Sequence, residues 1–103
     1  MNNVTIIGQI DGDAKVSYTS EDGMKKLYRF TLRVPKPYRS KNGEKLSDDF
    51  INVKCWSSSL DEDFELYDQA YVGIEGRLQS FGDGGQYRNY SNEVLAHKVL
   101  YLN

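Results

Sequence analysis

The sequence predicts an all-β fold with one helix, in which five short strands close into a small Greek-key barrel. Three observations predict it. The chain carries 13 aromatic residues and many valines and isoleucines, set in short runs between Gly, Asn and Asp, residue types that suit a pleated, half-buried surface. Within those runs apolar and polar residues alternate with the period of a strand. A single stretch, between the third and fourth runs, has the helical period instead.

The first strand spans residues 3–10, with Val4, Ile6 and Ile10 on one face and Gly8 marking a bulge or a close backbone approach. Its pattern continues through Val16 to Tyr18. The second, 27–34, alternates strictly, with Tyr28, Phe30, Leu32 and Val34 on one face and Arg29, Thr31 and Arg33 on the other. The third, 50–56, turns Ile51, Val53 and Cys55 inward and leaves Phe50, Asn52, Lys54 and Trp56 together on the opposite face. Residues 57–67 read as the helix: Ser59 and Glu62 have capping-box spacing, and Leu60, Phe64 and Tyr67 form an apolar stripe. Its acidic start, Asp61 to Asp63, suits the positive end of a helix dipole. The fourth strand, 71–81, buries Val72, Ile74 and Leu78, with Gly73 and Gly76 implying strong bending. A turn at Gly82-Asp83-Gly84-Gly85 leads into the fifth, from Tyr87 towards Leu102. Bent strands with one helix at that connection fit a barrel of the OB type, whereas a sandwich wants about seven strands.

A length of 103 residues implies one domain, 1–103, with a single modest core. Hydrophobic residues at 39%, charged residues at 27% and a net charge of −2 make an ordinary soluble composition and exclude a wholly disordered chain. No apolar run approaches the roughly 20 residues that span a bilayer. The chain also starts without a signal peptide's charged and apolar segments, so it reads as cytoplasmic with no membrane association. One cysteine, Cys55, and one histidine, His97, cannot make an internal disulfide or fill a zinc site. No metal or other cofactor is expected.

Material for catalysis is thin. His97 sits in an apolar run and reads as structural, and Cys55 reads as a small core hydrophobe. Asp48 and Asp49, adjacent in sequence, would point to opposite faces of a strand rather than act as a pair. Gly82 to Gly85 lacks the Lys and the helix of a phosphate loop. An enzyme is not expected.

Binding is better supported, because Phe50 and Trp56 bracket Asn52 and Lys54 on a face that should meet water. Aromatic rings there need a cover: unpaired nucleobases, a subunit interface or a covering loop. Charge favours the first. Between Lys25 and Lys45 lie eight cations, Lys25, Lys26, Arg29, Arg33, Lys36, Arg39, Lys41 and Lys45, against the single anion Glu44. Residues 61–68, by contrast, carry a local −5, so the near-neutral total hides a dipolar distribution. Asn42-Gly43 in the basic stretch signals a hairpin tip, so a long basic arm carrying Tyr38 should project beside the Phe50/Trp56 face.

Across essentially its whole length the chain resembles the bacterial single-stranded DNA-binding protein (SSB) family. NNVTIIGQI is similar to that family's first strand, YRFTLRV to its second, DDFINVKCW to its third, and YVGIEGRLQS followed by NEV to its last two. The resemblance implies an OB-fold domain that forms homo-oligomers, tetramers or dimers, and binds single-stranded DNA in replication, recombination or repair, alongside replication or recombination proteins. The family's stacking aromatics fall on Tyr38, Phe50, Trp56 and Phe81, with Tyr87 an alternative to Phe81. Phosphates are expected at Arg33, Lys36, Arg39, Lys54, Arg77 and Arg88. Other readings of the same surface are a primosomal-type or other OB protein-interaction module and a binder of single-stranded RNA. Two departures stand out. Asn103 directly follows the last strand, so the expected protein lacks the family's C-terminal linker and acidic tail. The connection Tyr67-Asp68-Gln69-Ala70 also lacks the Lys-Gly common at that point.

Overall fold

Alternation of apolar residues forces each of the five runs into a strand that commits one face to a shared core. β1 spans Val4–Thr19, β2 Lys26–Val34, β3 Asp49–Trp56, β4 Tyr71–Asp83 and β5 Asn89–Tyr101. The structure is a computed structural model and describes residues 1–38, 40–44, 47–59, 66–83 and 89–102, with backbone only at 83 and 89. The strands form a closed barrel in the order β1-β2-β3-β5-β4, the expected OB arrangement.

β1 is long enough to serve two neighbours. Val4 to Gln9 pair with β4, and Gln9 to Thr19 pair with β2. At Gly8 a Cβ would lie 2.7 Å from the Arg33 carbonyl oxygen and 2.8 Å from Leu32 Cγ. That close approach admits only glycine. β3 pairs with β2 along its whole length, from Leu27↔Trp56 to Val34↔Asp49. On its other side β3 meets β5 in a short parallel seam, Val53↔Val94, Lys54↔Leu95 and Cys55↔Ala96, which closes the barrel.

Ile10, Leu32, Val53, Cys55, Val72, Ile74 and Val94 are essentially fully buried. Val4, Ile6, Tyr28, Val34 and Ile51 pack around them, so the inward faces read from β1 to β3 are the observed ones. Leu78 is not in the core: it is 45% exposed. β1 covers β4 only as far as Gly76, and beyond it β4 pairs with β5 alone as a ribbon extending from the barrel. His97 is exposed rather than embedded. The β4–β5 register shifts between Glu75↔Lys98 and Gly76↔Ala96, leaving His97 as the unpaired residue of a bulge.

The hairpin tip of the basic arm forms as read. Ser40 N–H donates to the Glu44 carbonyl at 3.0 Å, Gly43 N–H to the Ser40 carbonyl at 2.9 Å, and Gly43 has φ +76°. Of the helix expected over 57–67, residues 60–65 lie outside the described residues. Ser57–Ser59 form one 3-10 turn, and Leu66 and Tyr67 are irregular. No helix among the described residues is long and apolar enough to cross a membrane.

Two glycines of β4 should answer differently to the same substitution. At Gly76 a Cβ would collide with the Leu95 carbonyl and lie 2.9 Å from Ala96 Cα, whereas at Gly73 the nearest atom is 3.7 Å away. Gly76→Ala should cost about 1–3 kcal/mol or more, while Gly73→Ala should be neutral or stabilise by up to about 1 kcal/mol. Urea denaturation of the two variants checks this.

Candidate nucleic-acid interface

The outer face of β3 follows from its inner one. With Ile51, Val53 and Cys55 turned into the barrel, Phe50, Asn52, Lys54 and Trp56 must face out. Phe50 is 58% and Trp56 37% exposed. Pairing with β2 sets Phe50 opposite Arg33, Asn52 opposite Thr31, Lys54 opposite Arg29 and Trp56 opposite Leu27. The Trp56 indole meets Tyr18 edge to face, with centroids 5.8 Å apart and planes at 87°.

The β4–β5 ribbon supplies the facing wall. Gln79 pairs with Glu93 and Phe81 with Ser91, so Arg77, Phe81 and Glu93 share one face of the ribbon. Phe81, 42% exposed, lines an open groove of about 610 Å³ together with Lys15, Arg29, Thr31, Asn52 and Glu93. Phe50 and Trp56 thus share the outer face of β3 with Asn52, and Phe81 meets that face at Asn52 across the groove. Tyr38 stands 62% exposed on the arm. Tyr87 lies outside the described residues.

The cations are less available than the sequence implied. Lys54 is only 18% exposed at its side chain and contacts Glu93 at 2.8 Å, and Arg29 reaches the same carboxylate at 3.4 Å. Burial works to raise the Glu93 pKa, but the hydrogen bonds from Lys54 and Arg29 outweigh it and hold the carboxyl below its usual value. Arg33 donates to the side chains of Gln9 and Gln69 and lies 3.9 Å from Asp48, and Lys36 is paired with Asp49. Arg77 is exposed on the ribbon. Arg39 and Arg88 fall outside the described residues. Asp48 and Asp49 therefore act as separate partners for two cations.

Tyr18 and Glu93 are the residues that sequence reasoning passed over. Glu93 had a signal, a lone acid at the head of the run Val94-Leu95-Ala96. Tyr18 had none, because its approach to Trp56 depends on the β1–β2 register, which shifts between Val16 and Tyr18. Gln69, where the connection departs from Lys-Gly, has φ +73°, a left-handed conformation that glycine adopts at no steric cost. Its side-chain oxygen accepts from Arg33 at 3.4 Å. Burial pushes the Cys55 thiol up to about 12, which removes it as a nucleophile at neutral pH.

Because its folded-state pKa is depressed, Glu93 adds stability that is present above its ordinary value of 4.5 and is lost as pH falls through the lower folded value. Glu93→Gln should cost about 1–3 kcal/mol at neutral pH. The gap between the two proteins should narrow below pH 4.5, as followed by urea denaturation across a pH series.

Known proteins share this architecture. The sequence profile of the single-strand binding protein family matches residues 1–102. The single-stranded DNA-binding protein of Streptococcus pneumoniae is 32% identical over 105 residues, covering 99% of this chain. The chain spans 65% of that relative's length. Among solved structures, the dimeric N-terminal domain of PriB from Thermoanaerobacter tencongensis superposes with a TM-score of 0.72 at 24% identity, over 99% of this chain and 97% of that one. The Plasmodium falciparum SSB in complex with ssDNA gives 0.71 at 17% identity, over 100% and 96%. A profile matched over nearly the whole chain, a relative this similar and the same barrel place it: the chain belongs to the single-strand binding protein family.

Proposed function

We propose that this protein binds single-stranded DNA without sequence preference, in the cytoplasm, in support of DNA replication, recombination or repair. The observation that carries the reading is the exposure of Phe50 and Trp56 on the outer face of β3, with Phe81 across the adjoining groove. Every base has a π-face, so rings of this kind hold bases without reading them, and phosphate contacts carry no sequence information. Stacking is assigned to Tyr38, Phe50, Trp56 and Phe81. Phosphate neutralisation is assigned to Arg33, Lys36, Arg39, Lys54, Arg77 and Arg88. Of these, Arg33, Lys36 and Lys54 must exchange carboxylate partners for phosphate, or share them.

The same reading includes a homo-oligomer, a dimer or tetramer. Ile7, Tyr71, Leu100 and Leu102 are 41–64% exposed, and a Cβ on Gly73 would meet Ile7, Leu100 and Leu102. Ile7 of β1, Tyr71 of β4, Leu100 of β5 and Leu102 just beyond it make an exposed apolar area suited to a second copy. Replication or recombination proteins are the further partners this role calls for.

Anisotropy of labelled oligo-dT, with a matched duplex as competitor, tests the function. The account expects preference for the single strand and an affinity that falls with salt, each neutralised phosphate contributing about 0.7 to the logarithmic slope. Equal affinity for duplex, or no binding at low salt, would refute it. Trp56→Ala should weaken binding by about 1–3 kcal/mol while leaving the unfolding midpoint little changed.

A further inference from the structure

The β4–β5 ribbon that carries Phe81 leaves the barrel at Leu78, and burial does not hold it there, because the Leu78 side chain is exposed. Its main chain is held instead. Asn2 Nδ2 donates to the Leu78 carbonyl at 2.8 Å, and Leu78 N–H donates to Asn2 Oδ1 at 2.8 Å. A carboxamide carries donors and an acceptor in one plane, as a peptide group does. This one reproduces the double exchange of a hydrogen-bonded pair in an antiparallel ladder. The register explains why it can. β1 begins at Val4, which pairs with Gly76, and two residues further out the same register sets Asn2 opposite Leu78. Leu78 in turn pairs with Val94 of β5, and Val94 with Val53 of β3. Asn2, Leu78, Val94 and Val53 therefore stand in one row across four strands, at the point where the ribbon departs.

We infer that Asn2 is a positioning residue for single-strand binding: its side-chain amide anchors the β4 edge of the ribbon and so holds Phe81 across the groove from β3. The β5 edge has its own anchors, the seam at Val94 and, one residue before it, the Glu93 carboxylate on Arg29 and Lys54. A two-stranded ribbon has little rigidity of its own, so with one edge tied it can rock about that edge. Among the described residues Asn2 supplies the outermost tie on the β4 side, three residues before Phe81. Phe81 belongs to that strand, and its placement against Asn52 is what the tie fixes. Asn2 itself is not one of the residues that line the groove, so it acts through the ring and not on the nucleic acid. Each ribbon position that turns Phe81 away lowers the fraction of protein ready to bind.

The inference rests on the proposed single-strand binding and on the stacking assigned to Phe81. Affinity for a dT oligomer of about 16 nucleotides is measured for the parent protein, Asn2→Ala, Phe81→Ala and the double variant, with folding checked by circular dichroism. Asn3→Ala, the same change at the exposed neighbour, is the control. Asn2→Ala should weaken binding about two- to tenfold, and by no more than Phe81→Ala, which should cost about fivefold or more. In the Phe81→Ala background the Asn2 change should cost less than about twofold, a dependence that general loosening of the barrel would not show. Asn3→Ala should bind as the parent does. Parent-like binding by Asn2→Ala, loss of its fold, an equal cost in both backgrounds or the same cost in Asn3→Ala would overturn the positioning role while single-strand binding stands. Parent-like binding by Phe81→Ala would do the same, and failure of the parent protein to bind dT would overturn both readings.

Discussion

Closure of the barrel through the three-pair parallel seam between β3 and β5 is the constraint on which the rest depends. β3 is bonded to β2 along its length and to β5 only here, and the two ladders together fix which way its side chains face. A strand has a period of two, and a slip of one residue would send Val53 and Cys55 to solvent and Phe50 and Trp56 into the core. Core and candidate interface are therefore two sides of one register. Glu93 reinforces that register from outside the barrel. Sitting one residue before the seam on β5, it binds Arg29 of β2 and Lys54 of β3, so one buried carboxylate holds three strands together beside the exposed rings.

That arrangement changes how the positive charge should be counted. Eight cations between residues 25 and 45 suggest a strongly attractive arm. The structure sets several of them against acids: Arg33 near Asp48, Lys36 on Asp49, Arg29 with Lys54 on Glu93. On the proposed function, an incoming phosphate would meet preorganised donors that are already partly neutralised, and aromatic stacking, which asks for no exchange of ionic partners, would carry a larger share of the interaction.

Most of the fold was legible because alternation is a direct physical signal. The strict pattern of β2 and the two faces of β3 appear in the structure as read. Leu78 and His97 were misread for a common reason: alternation assumes an unbroken ladder covered by a neighbour. β4 outruns β1 at Gly76, and the β4–β5 ladder skips at His97, and neither event leaves a mark on the local pattern. The rings of the interface were legible as out-of-place apolar residues on a polar face. Tyr18 was not, and Glu93 only as a lone acid before an apolar run, because their contacts come from strands distant in sequence meeting at a particular register. The helical period at 57–67 and the cations Arg39 and Arg88 fall largely or wholly outside the described residues.

The central claim is that the outer rings of β3 stay open and receive bases. Trp56 is the chain's one tryptophan, so its emission reports that face alone. Titration with oligo-dT at low salt should quench it saturably, and added salt should restore it as the strand dissociates. Emission that stays unchanged through the titration, in protein shown to be folded, would contradict the account.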